Sequence, residues 1–204
     1  MTNPVTGRTW MDRNLGASQA ATSSTDAASY GDLYQWGRAA DKHQKRESNL
    51  TYIKSTSDEP GNTNFIIPPE YPYDWRYLSN WELWQGENGV NNPCPIGYRI
   101  PTIAEWEEEI KSWENEDANG AFMSVLKLPK AGQRITGNEE YSNEIGFIIE
   151  AGINGFYWSS STSSNSSFSY IISFDDDDVR WGHHIWESST YRSNGSSVRC
   201  IKEE

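Results

Sequence analysis

The 204-residue chain carries 29 acidic and 17 basic side chains, which gives a formal net charge of −12. This balance argues against nucleic acid as a partner, because phosphate binding depends on clustered Lys and Arg side chains. No apolar run approaches the roughly 18 residues that a membrane-spanning helix needs, so no membrane insertion is expected. The first ten residues lack the charged-then-apolar pattern of a signal peptide, and localisation stays open.

Aromatic residues dominate the apolar part of the sequence, with 10 tryptophans and 11 tyrosines. A core of this kind is built from large flat rings whose N–H and O–H groups need hydrogen-bond partners. A chain of this length forms one large domain or two small ones, and we expect a single domain over residues 1–204.

The first part of the chain gives two local signals and then a long irregular region. The stretch from Gly7 to Leu15 has the alternation of an opening strand, and apolar residues between Ser29 and Ala40 recur near helical spacing. Residues 41–92 are rich in turn signals such as "DEPGNTN" and "GENGVNN". Because so long a structureless loop is uncommon in a compact domain, we interpret residues 41–92 as a loop-rich insertion.

The clearest helix signal is "PTIAEWEEEIKSWENE". Thr102 followed by Glu105 is the capping-box pattern, and Pro101 prevents a helix from extending backward. Ile103 and the apolar residues that follow it at spacings of three or four form one buried stripe, which predicts a helix from Ile103 to about Asn115. A second short helix is predicted near residues 120–127.

From Leu128 onward the sequence changes to turns and short strand-like segments such as "GFIIEAG", "FSYIISF" and "GSSVRCI". Two helices before a run of short antiparallel strands predict an α+β domain with much irregular loop, rather than a repeated βαβ unit.

The two cysteines, Cys94 and Cys200, are far apart in sequence. A disulfide between them would close a long loop and stabilise the fold by roughly 4–5 kcal/mol in an oxidising compartment. Two buried free thiols are the alternative, and the sequence leaves both open.

Five blocks in a fixed order carry a family resemblance: "RTWMDRNLG", "YGDLYQWGRA", "CPIGYRIPTIAEW", "GFYWSSS" and "SVRCI". Together they resemble the Fibrobacter succinogenes major paralogous domain, a branch of the C-type-lectin-like fold. The resemblance covers nearly the whole chain apart from residues 41–92. The formylglycine-generating enzyme is a related protein with a similar "R-x-P-T-x-x-E-W" helix opening.

Residues 157–201 resemble something narrower, the variable region of a diversity-generating retroelement variable protein, which is a receptor-binding protein of lectin fold. In that family an error-prone reverse transcriptase copies a template repeat and mutates its adenines. Template codons of the AAY type then scatter into Ser, Asp, His, Tyr, Arg, Ile and others, but never into Lys or Gln. Between Trp158 and Ile201 there is no Ala, Leu, Lys, Met, Pro or Gln, which fits this alphabet, whereas Glu187 departs from it.

The resemblance implies two classes of residue in this stretch. Codons without adenine cannot change, so the residues expected to be structural scaffold here are Trp158, Trp181, Trp186 and Cys200. Outside this stretch Cys94, which is flanked by prolines, is also expected to be structural. The ligand-binding residues are expected to share one exposed face: Ser163, Ser164, Asn165, Ser166, Ser167, Phe168, Tyr170, Asp175, Asp176, Asp177, Asp178, Arg180, His183, His184, Ile185, Tyr191, Arg192 and Asn194.

Metal binding and covalent catalysis in this stretch have weaker support from the sequence. The run "FDDDDV" contains the carboxylates that calcium prefers, but consecutive strand residues point to opposite faces, so calcium is kept only as an alternative and no cofactor is expected. The same divergence argues against a metal site at His183 and His184. Cys200 lacks a second cysteine nearby in sequence, which argues against chemistry of the formylglycine-generating type, and no enzymatic activity is expected.

The sequence thus predicts a receptor-recognition protein whose palette of Tyr, Ser, Asn, Asp and Arg resembles an antibody paratope. The expected ligand is a cell-surface protein or glycan, bound through multivalent or oligomeric display on a virion or a bacterial or archaeal cell. The reverse transcriptase and accessory protein would be encoded elsewhere. The alternatives are a non-diversified adhesin or carbohydrate-binding module of the same fold, and a protein resembling the formylglycine-generating enzyme.

Overall fold

The computed structural model describes residues 1–137, 144–163, 167–180 and 189–204. Its helices are Ile103–Ile110 (α1) and Ala118–Met123 (α2), and a 3-10 turn spans Ala27–Ser29. Its strands are Tyr34–Gln35 (β1), Leu50–Thr51 (β2), Phe65–Ile66 (β3), Tyr98–Arg99 (β4), Gln133–Arg134 (β5), Ile148–Ile149 (β6), Gly155–Thr162 (β7), Phe168–Phe174 (β8), Val179–Arg180 (β9), Ser189–Tyr191 (β10), Gly195–Ser196 (β11) and Ile201–Lys202 (β12).

The strands form four small sheets. One sheet has the strand order β1-β11-β5-β6, and we call it the four-stranded sheet. A second sheet, which we call the hairpin sheet, has the order β10-β8-β7, with β9 also paired to β8. Strand β12 pairs with β4, and the parallel pair β2–β3 lies within the irregular region. The other described pairings are antiparallel, so the expected mixture of two helices, short antiparallel strands and much loop is confirmed at this level.

Helix α1 begins where the sequence predicts. The Thr102 hydroxyl accepts a hydrogen bond from the Glu105 amide, and the Glu105 carboxylate accepts one from the Thr102 amide, which completes the capping box. The helix ends at Ile110, earlier than predicted, because the next turn tightens: Ser112 N–H bonds the carbonyl of Glu109 and Trp113 N–H that of Ile110. The short second helix is also present as α2.

The helix predicted from Ser29 to Ala40 is wrong. Gly31 and Gly37 adopt φ angles of +69° and +82°, which a right-handed helix does not allow, and a Cβ at Gly31 would lie 2.4 Å from the Leu15 carbonyl oxygen. The backbone instead pairs with distant chain segments, since Trp36 N–H donates to the carbonyl of Arg192. The opening strand predicted from Gly7 to Leu15 is likewise reduced to isolated bridges at Thr9 and Trp10.

The hairpin of β7 and β8 is buried on both faces. On one face Tyr157, Ile172 and Phe174 pack into a core with Trp106 of α1 and the N-terminal Trp10. On the other face Trp158 and Ile171 pack into a second core. Because successive strand residues point to opposite sides, one hairpin supplies both cores and joins the helical layer to the four-stranded sheet.

Indole N–H groups connect these layers through backbone carbonyls. Trp106 donates to the carbonyl of Trp158 at 3.1 Å, and Trp158 donates to that of Tyr34 at 2.6 Å. The Trp36 indole donates to the Ser159 carbonyl at 2.9 Å, and the backbone carbonyl of Trp36 accepts from the Trp75 indole at 2.7 Å. Each of these four indoles therefore satisfies its own polar group and one in a neighbouring segment.

Cys94 and Cys200 form a disulfide, which decides between the two possibilities that the sequence left open. The bond spans a sequence separation of 106 residues and joins the segment before α1 to the C-terminal segment.

In the described residues, no helix has the length and apolar character needed to cross a bilayer.

His43 is a buried histidine that holds the start of the irregular region to β1. Its Nε2 accepts a hydrogen bond from the Gln35 amide at 3.0 Å, and its Nδ1 lies 2.6 Å from the Asp41 carboxylate. Burial lowers the pKa of His43 to about 4, against the opposing effect of the Asp41 carboxylate, and Arg38 lowers it further. The ring is therefore neutral at pH 7, with the proton on Nδ1.

We expect the stability of the fold to decrease as the pH falls from about 6.5 to about 4, by on the order of 3 kcal/mol from this residue. In that range His43 is protonated in the unfolded chain, where its pKa has the ordinary value of 6.5, but stays neutral in the folded chain. Urea unfolding at several pH values should show a steeper loss for the wild type than for His43→Gln. A folded-state His43 ring that titrates near its ordinary pKa by NMR would contradict this expectation.

Candidate functional site

A cleft of about 440 Å³ opens between the four-stranded sheet and the hairpin sheet. We call it the inter-sheet cleft. Its apolar walls consist of aliphatic side chains from around β5 and β6 and aromatic side chains from β7, β8 and β10: Ile135, Ile149, Phe156, Phe168 and Tyr191. It brings Phe168, Tyr191 and Asn194 of the predicted binding residues into one place.

Phe168 and Tyr191 form an aromatic pair across β8 and β10. Their Cα positions are in register, and their ring centroids lie 4.5 Å apart. Tyr73, from the irregular region, approaches Tyr191 edge-on at 4.8 Å. Cross-strand aromatic pairs of this kind stabilise a sheet and hold the rings in a defined orientation. The two half-buried rings therefore present a fixed apolar surface to the cleft.

Asn194 lies at the cleft but is only 5% exposed, so the exposure predicted for it is wrong. Its Oδ1 accepts from both the amide and the hydroxyl of Thr136, each at 2.9 Å. Its Nδ2 donates to the Thr190 hydroxyl at 2.8 Å. These bonds use the side chain to join the end of β5 to the turn before β11.

The exposure predicted for Arg192 is also wrong, since the residue is 1% exposed. Its guanidinium lies 4.6 Å from the centre of the Trp36 ring, and its Nε donates to the Ser169 hydroxyl. Burial lowers the pKa of Arg192 to about 10, so it stays charged at neutral pH, where Asp74 is its ion-pair partner at 3.8 Å. Burial likewise raises the pKa of Asp74 above its ordinary value.

Ser163 and Ser167 are buried as well, at 4% and 0% exposure, and the prediction of an exposed position is wrong for both. The Ser167 carbonyl accepts a hydrogen bond from the Arg192 amide at 2.9 Å. The start of β8 is thereby attached to the buried C-terminal segment.

The acidic turn, Asp175 to Asp178, lies at the opposite end of β8 from Phe168. Seven residues of strand separate the two ends by about 20 Å, so these aspartates do not reach the inter-sheet cleft. Asp176, Asp177 and Asp178 are exposed, as predicted. The acidic turn therefore lies apart from the inter-sheet cleft, and the prediction of one exposed face for all the clusters stays a prediction, since residues 164–166 and 181–188 lie outside the described residues.

Within the acidic turn the charges have local partners. Partial burial would raise the pKa of Asp175, but hydrogen bonds from the amides of Asp177 and Asp178 and from Arg180 outweigh it, so the pKa lies below its ordinary value. Arg180 is half-buried and pairs with Asp175 at 3.1 Å. Over the residues that the structure describes, no group of three or more His, Cys, Asp or Glu side chains is placed to hold a metal ion.

The remaining predicted residues fall into two sets. Trp158 is fully buried, which confirms its scaffold role, and Tyr170 is half-buried against the first core rather than in the cleft. The others lie outside the described residues: Ser164, Asn165, Ser166, Trp181, His183, His184, Ile185 and Trp186.

Most of the described residues that line the cleft, eight of eleven, were not selected by the sequence analysis. Ile135, Ile149 and Glu150 belong to segments that were interpreted only as turns and strands. No local motif marks them, because their place in the cleft depends on β5 and β6 pairing beside β11. The alternation in "GFIIEAG" could indicate a strand but not what that strand faces.

The comparisons with known proteins identify the family. A family profile described as the Fibrobacter succinogenes major domain matches residues 5–202. The chain belongs to this family. It is also similar to an uncharacterized protein of Aquifex aeolicus (strain VF5), with 35% identity over 71 residues. That match covers 32% of the chain and 27% of the Aquifex protein. No solved structure matches the chain significantly.

The inter-sheet cleft lies wholly inside the Fibrobacter succinogenes major domain, since its described residues run from Gln133 to Asn194 and the family match extends to residue 202. Both sheets that form it belong to the same domain.

We expect Asn194→Ala to destabilise the fold by about 1–3 kcal/mol, because it leaves the buried Thr136 amide without its acceptor. Asn115→Ala, on an exposed loop, is the matched control and should change the stability by less than about 0.5 kcal/mol. Urea unfolding of both variants measures this. Equal stability of Asn194→Ala and the wild type would mean that the buried bonds are dispensable and that this position tolerates free substitution.

Proposed function

We propose that this chain is a ligand-recognition module of C-type-lectin-like fold, with a binding surface centred on the inter-sheet cleft. The observation that carries the proposal is the cleft itself, where the aromatic pair of Phe168 and Tyr191 meets apolar side chains from the second sheet. Concave sites with rigid aromatic walls are the usual places for ligands to bind. The mixture of two helices and small antiparallel sheets is compatible with the proposed fold.

The chemistry of the cleft favours recognition over reaction. Acid–base catalysis needs positioned titratable groups, and the described lining of the cleft holds a single carboxylate, that of Glu150. The alternative related to the formylglycine-generating enzyme needs reactive thiols, whereas Cys94 and Cys200 are joined in a disulfide and Cys200 is fully buried.

We further propose that a diversity-generating retroelement diversifies part of this surface. Burial limits which positions can vary, since Arg192 and Asn194 make contacts that few other side chains could replace. Among the described residues, the positions available for variation are the exposed and half-buried ones: Phe168, Tyr170, Asp175, Asp176, Asp177, Asp178, Arg180 and Tyr191. Four predicted positions are buried: Ser163, Ser167, Arg192 and Asn194. Their burial supports the alternative, a non-diversified adhesin or carbohydrate-binding module.

The ligand in either case is proposed to be a cell-surface protein or glycan. A single shallow contact of this size gives modest affinity, so several copies displayed together on a virion or cell surface would provide the avidity. The net charge of −12 makes acidic ligands unfavourable partners.

For diversification, we expect the source genome to hold a near-copy of the coding segment for residues 157–201 beside a reverse transcriptase gene. The two copies should differ almost only at adenines of the template, and the codons for Arg192 and Asn194 should be unchanged because these side chains are buried. Sequencing the locus measures this. Absence of the repeat would exclude diversification and leave the binding module, and adenine changes at codons 192 and 194 would contradict the limit set by burial.

For binding, we expect Tyr191→Ala to reduce the attachment of streptavidin-tetramerised protein to its target cells by about tenfold or more, as loss of a central aromatic contact does. Tyr77→Ala is the matched control, because Tyr77 is 70% exposed and lies outside the cleft. Flow cytometry over a panel of microbial and host cells measures attachment, and urea unfolding verifies that both variants are folded. Equal attachment of folded Tyr191→Ala and wild type would exclude the cleft as the binding surface.

A further inference from the structure

We propose that the inter-sheet cleft takes an aromatic or aliphatic side chain of a protein partner, flanked in that partner by basic residues, and does not take a sugar. This inference rests on the proposed function and specifies the class of its ligand. Three properties of the cleft carry it: the character of its walls, the state of its polar groups and its charge.

The walls are apolar over most of their extent. Ile135 and Ile149 face the cleft from the four-stranded sheet, and Phe156, Phe168 and Tyr191 face it from the hairpin sheet. The volume of about 440 Å³ accommodates one large side chain and part of its neighbours. Burial of such a side chain is favourable without any new hydrogen bond, because the gain comes from apolar surface removed from water.

The two side-chain amides at the cleft, those of Asn194 and Gln133, are already bonded within the chain. Asn194 uses its Oδ1 for two bonds to Thr136 and its Nδ2 for one to Thr190. Gln133 donates through Nε2 to the Ser196 hydroxyl at 2.9 Å. A sugar that entered here would lose water from several hydroxyl groups and would find few partners for them, and each hydrogen bond that is not replaced costs free energy. The site therefore disfavours a sugar while it tolerates an apolar side chain.

The charge of the cleft determines which residues should flank the apolar side chain in the partner. Glu150 is the one residue with a formal charge among the described residues that line the cleft, and no Lys or Arg is among them. Asn154 donates a neutral hydrogen bond to the Glu150 carboxylate at 2.9 Å, which orients it. In a chain with net charge −12, this carboxylate favours a partner segment that carries Lys or Arg beside the buried side chain.

The surroundings of the cleft fit a protein surface better than a small molecule. Phe147 is 66% exposed, and its carbonyl bonds the amide of Ile135 in the cleft wall. Ile153 is 62% exposed, and its amide bonds the carbonyl of Glu150. Both exposed apolar side chains thus belong to segments whose backbone is bonded to the cleft wall, and large exposed apolar side chains are typical of protein interfaces.

The experiment is an NMR titration of the ¹⁵N-labelled chain with three probes: acetyl-Lys-Trp-Lys-amide, acetyl-Glu-Trp-Glu-amide and a set of methyl glycosides of common hexoses. We expect the basic peptide to shift the amide signals of Ile135, Gly137, Ile149 and Thr190 with millimolar affinity. The acidic peptide should bind about threefold or more weakly, and the glycosides should leave these signals unchanged. An Ile149→Asp variant should lose the response to the basic peptide.

A second variant tests the charge without changing the walls. Glu150→Gln should bring the affinities of the two peptides within about a factor of two of each other, whereas Glu116→Gln, at an exposed position between α1 and α2, should preserve the difference. Saturable glycoside shifts at the cleft, equal affinities for both peptides in the wild type, or no response to either peptide would each overturn the inference. Attachment to cells that depends on Tyr191 would in each of these cases still support the proposed function, so the two failures are distinguishable.

Discussion

Every layer of this structure depends on tryptophan indoles that donate hydrogen bonds to backbone carbonyls of other segments. Trp158 is central, since it donates to the carbonyl of Tyr34 while its own carbonyl accepts from Trp106. A buried indole N–H without a partner is costly, so each of these rings fixes the position of the segment that satisfies it. Outside the β7–β8 hairpin the described strands have only two or three residues, so sheet hydrogen bonds alone are too few to hold the loops in place.

The same constraint explains why the C-terminal segment is buried although its composition is polar. Arg192 lies against the ring of Trp36, and Arg199 is fully buried, with its Nη1 bonded to the carbonyl of Leu126 at 2.6 Å. Arg192 can fill a core position because its guanidinium stacks on a ring, and Arg199 can do so because its donors reach several acceptors at once. The Cys94–Cys200 disulfide holds the end of the same segment. A stretch of Ser, Asn and Arg thus becomes part of the core through specific partners rather than through hydrophobicity.

This arrangement defines the possible functional surface. The buried side of the C-terminal segment supports the inter-sheet cleft, and the half-buried rings of Phe168 and Tyr191 form its wall. The acidic turn at the far end of β8 forms a separate, solvent-exposed feature with its own ion pairs. Recognition at the cleft would therefore use a rigid scaffold, which lowers the entropic cost of binding.

The sequence by itself determined the features that are local or that follow from composition. The capping box at Thr102 and Glu105, the helix that it starts and the change to short strands after Leu128 are of this kind. The burial of Trp158 was expected from the family resemblance. Only the tertiary structure decided the rest: the loss of the helix expected between Ser29 and Ala40, the disulfide and the burial of Arg192 and Asn194. The physical reason is that side-chain type and spacing report local conformation, whereas burial of a polar residue depends on partners such as Trp36 and Thr136, which are more than 50 residues away in the chain.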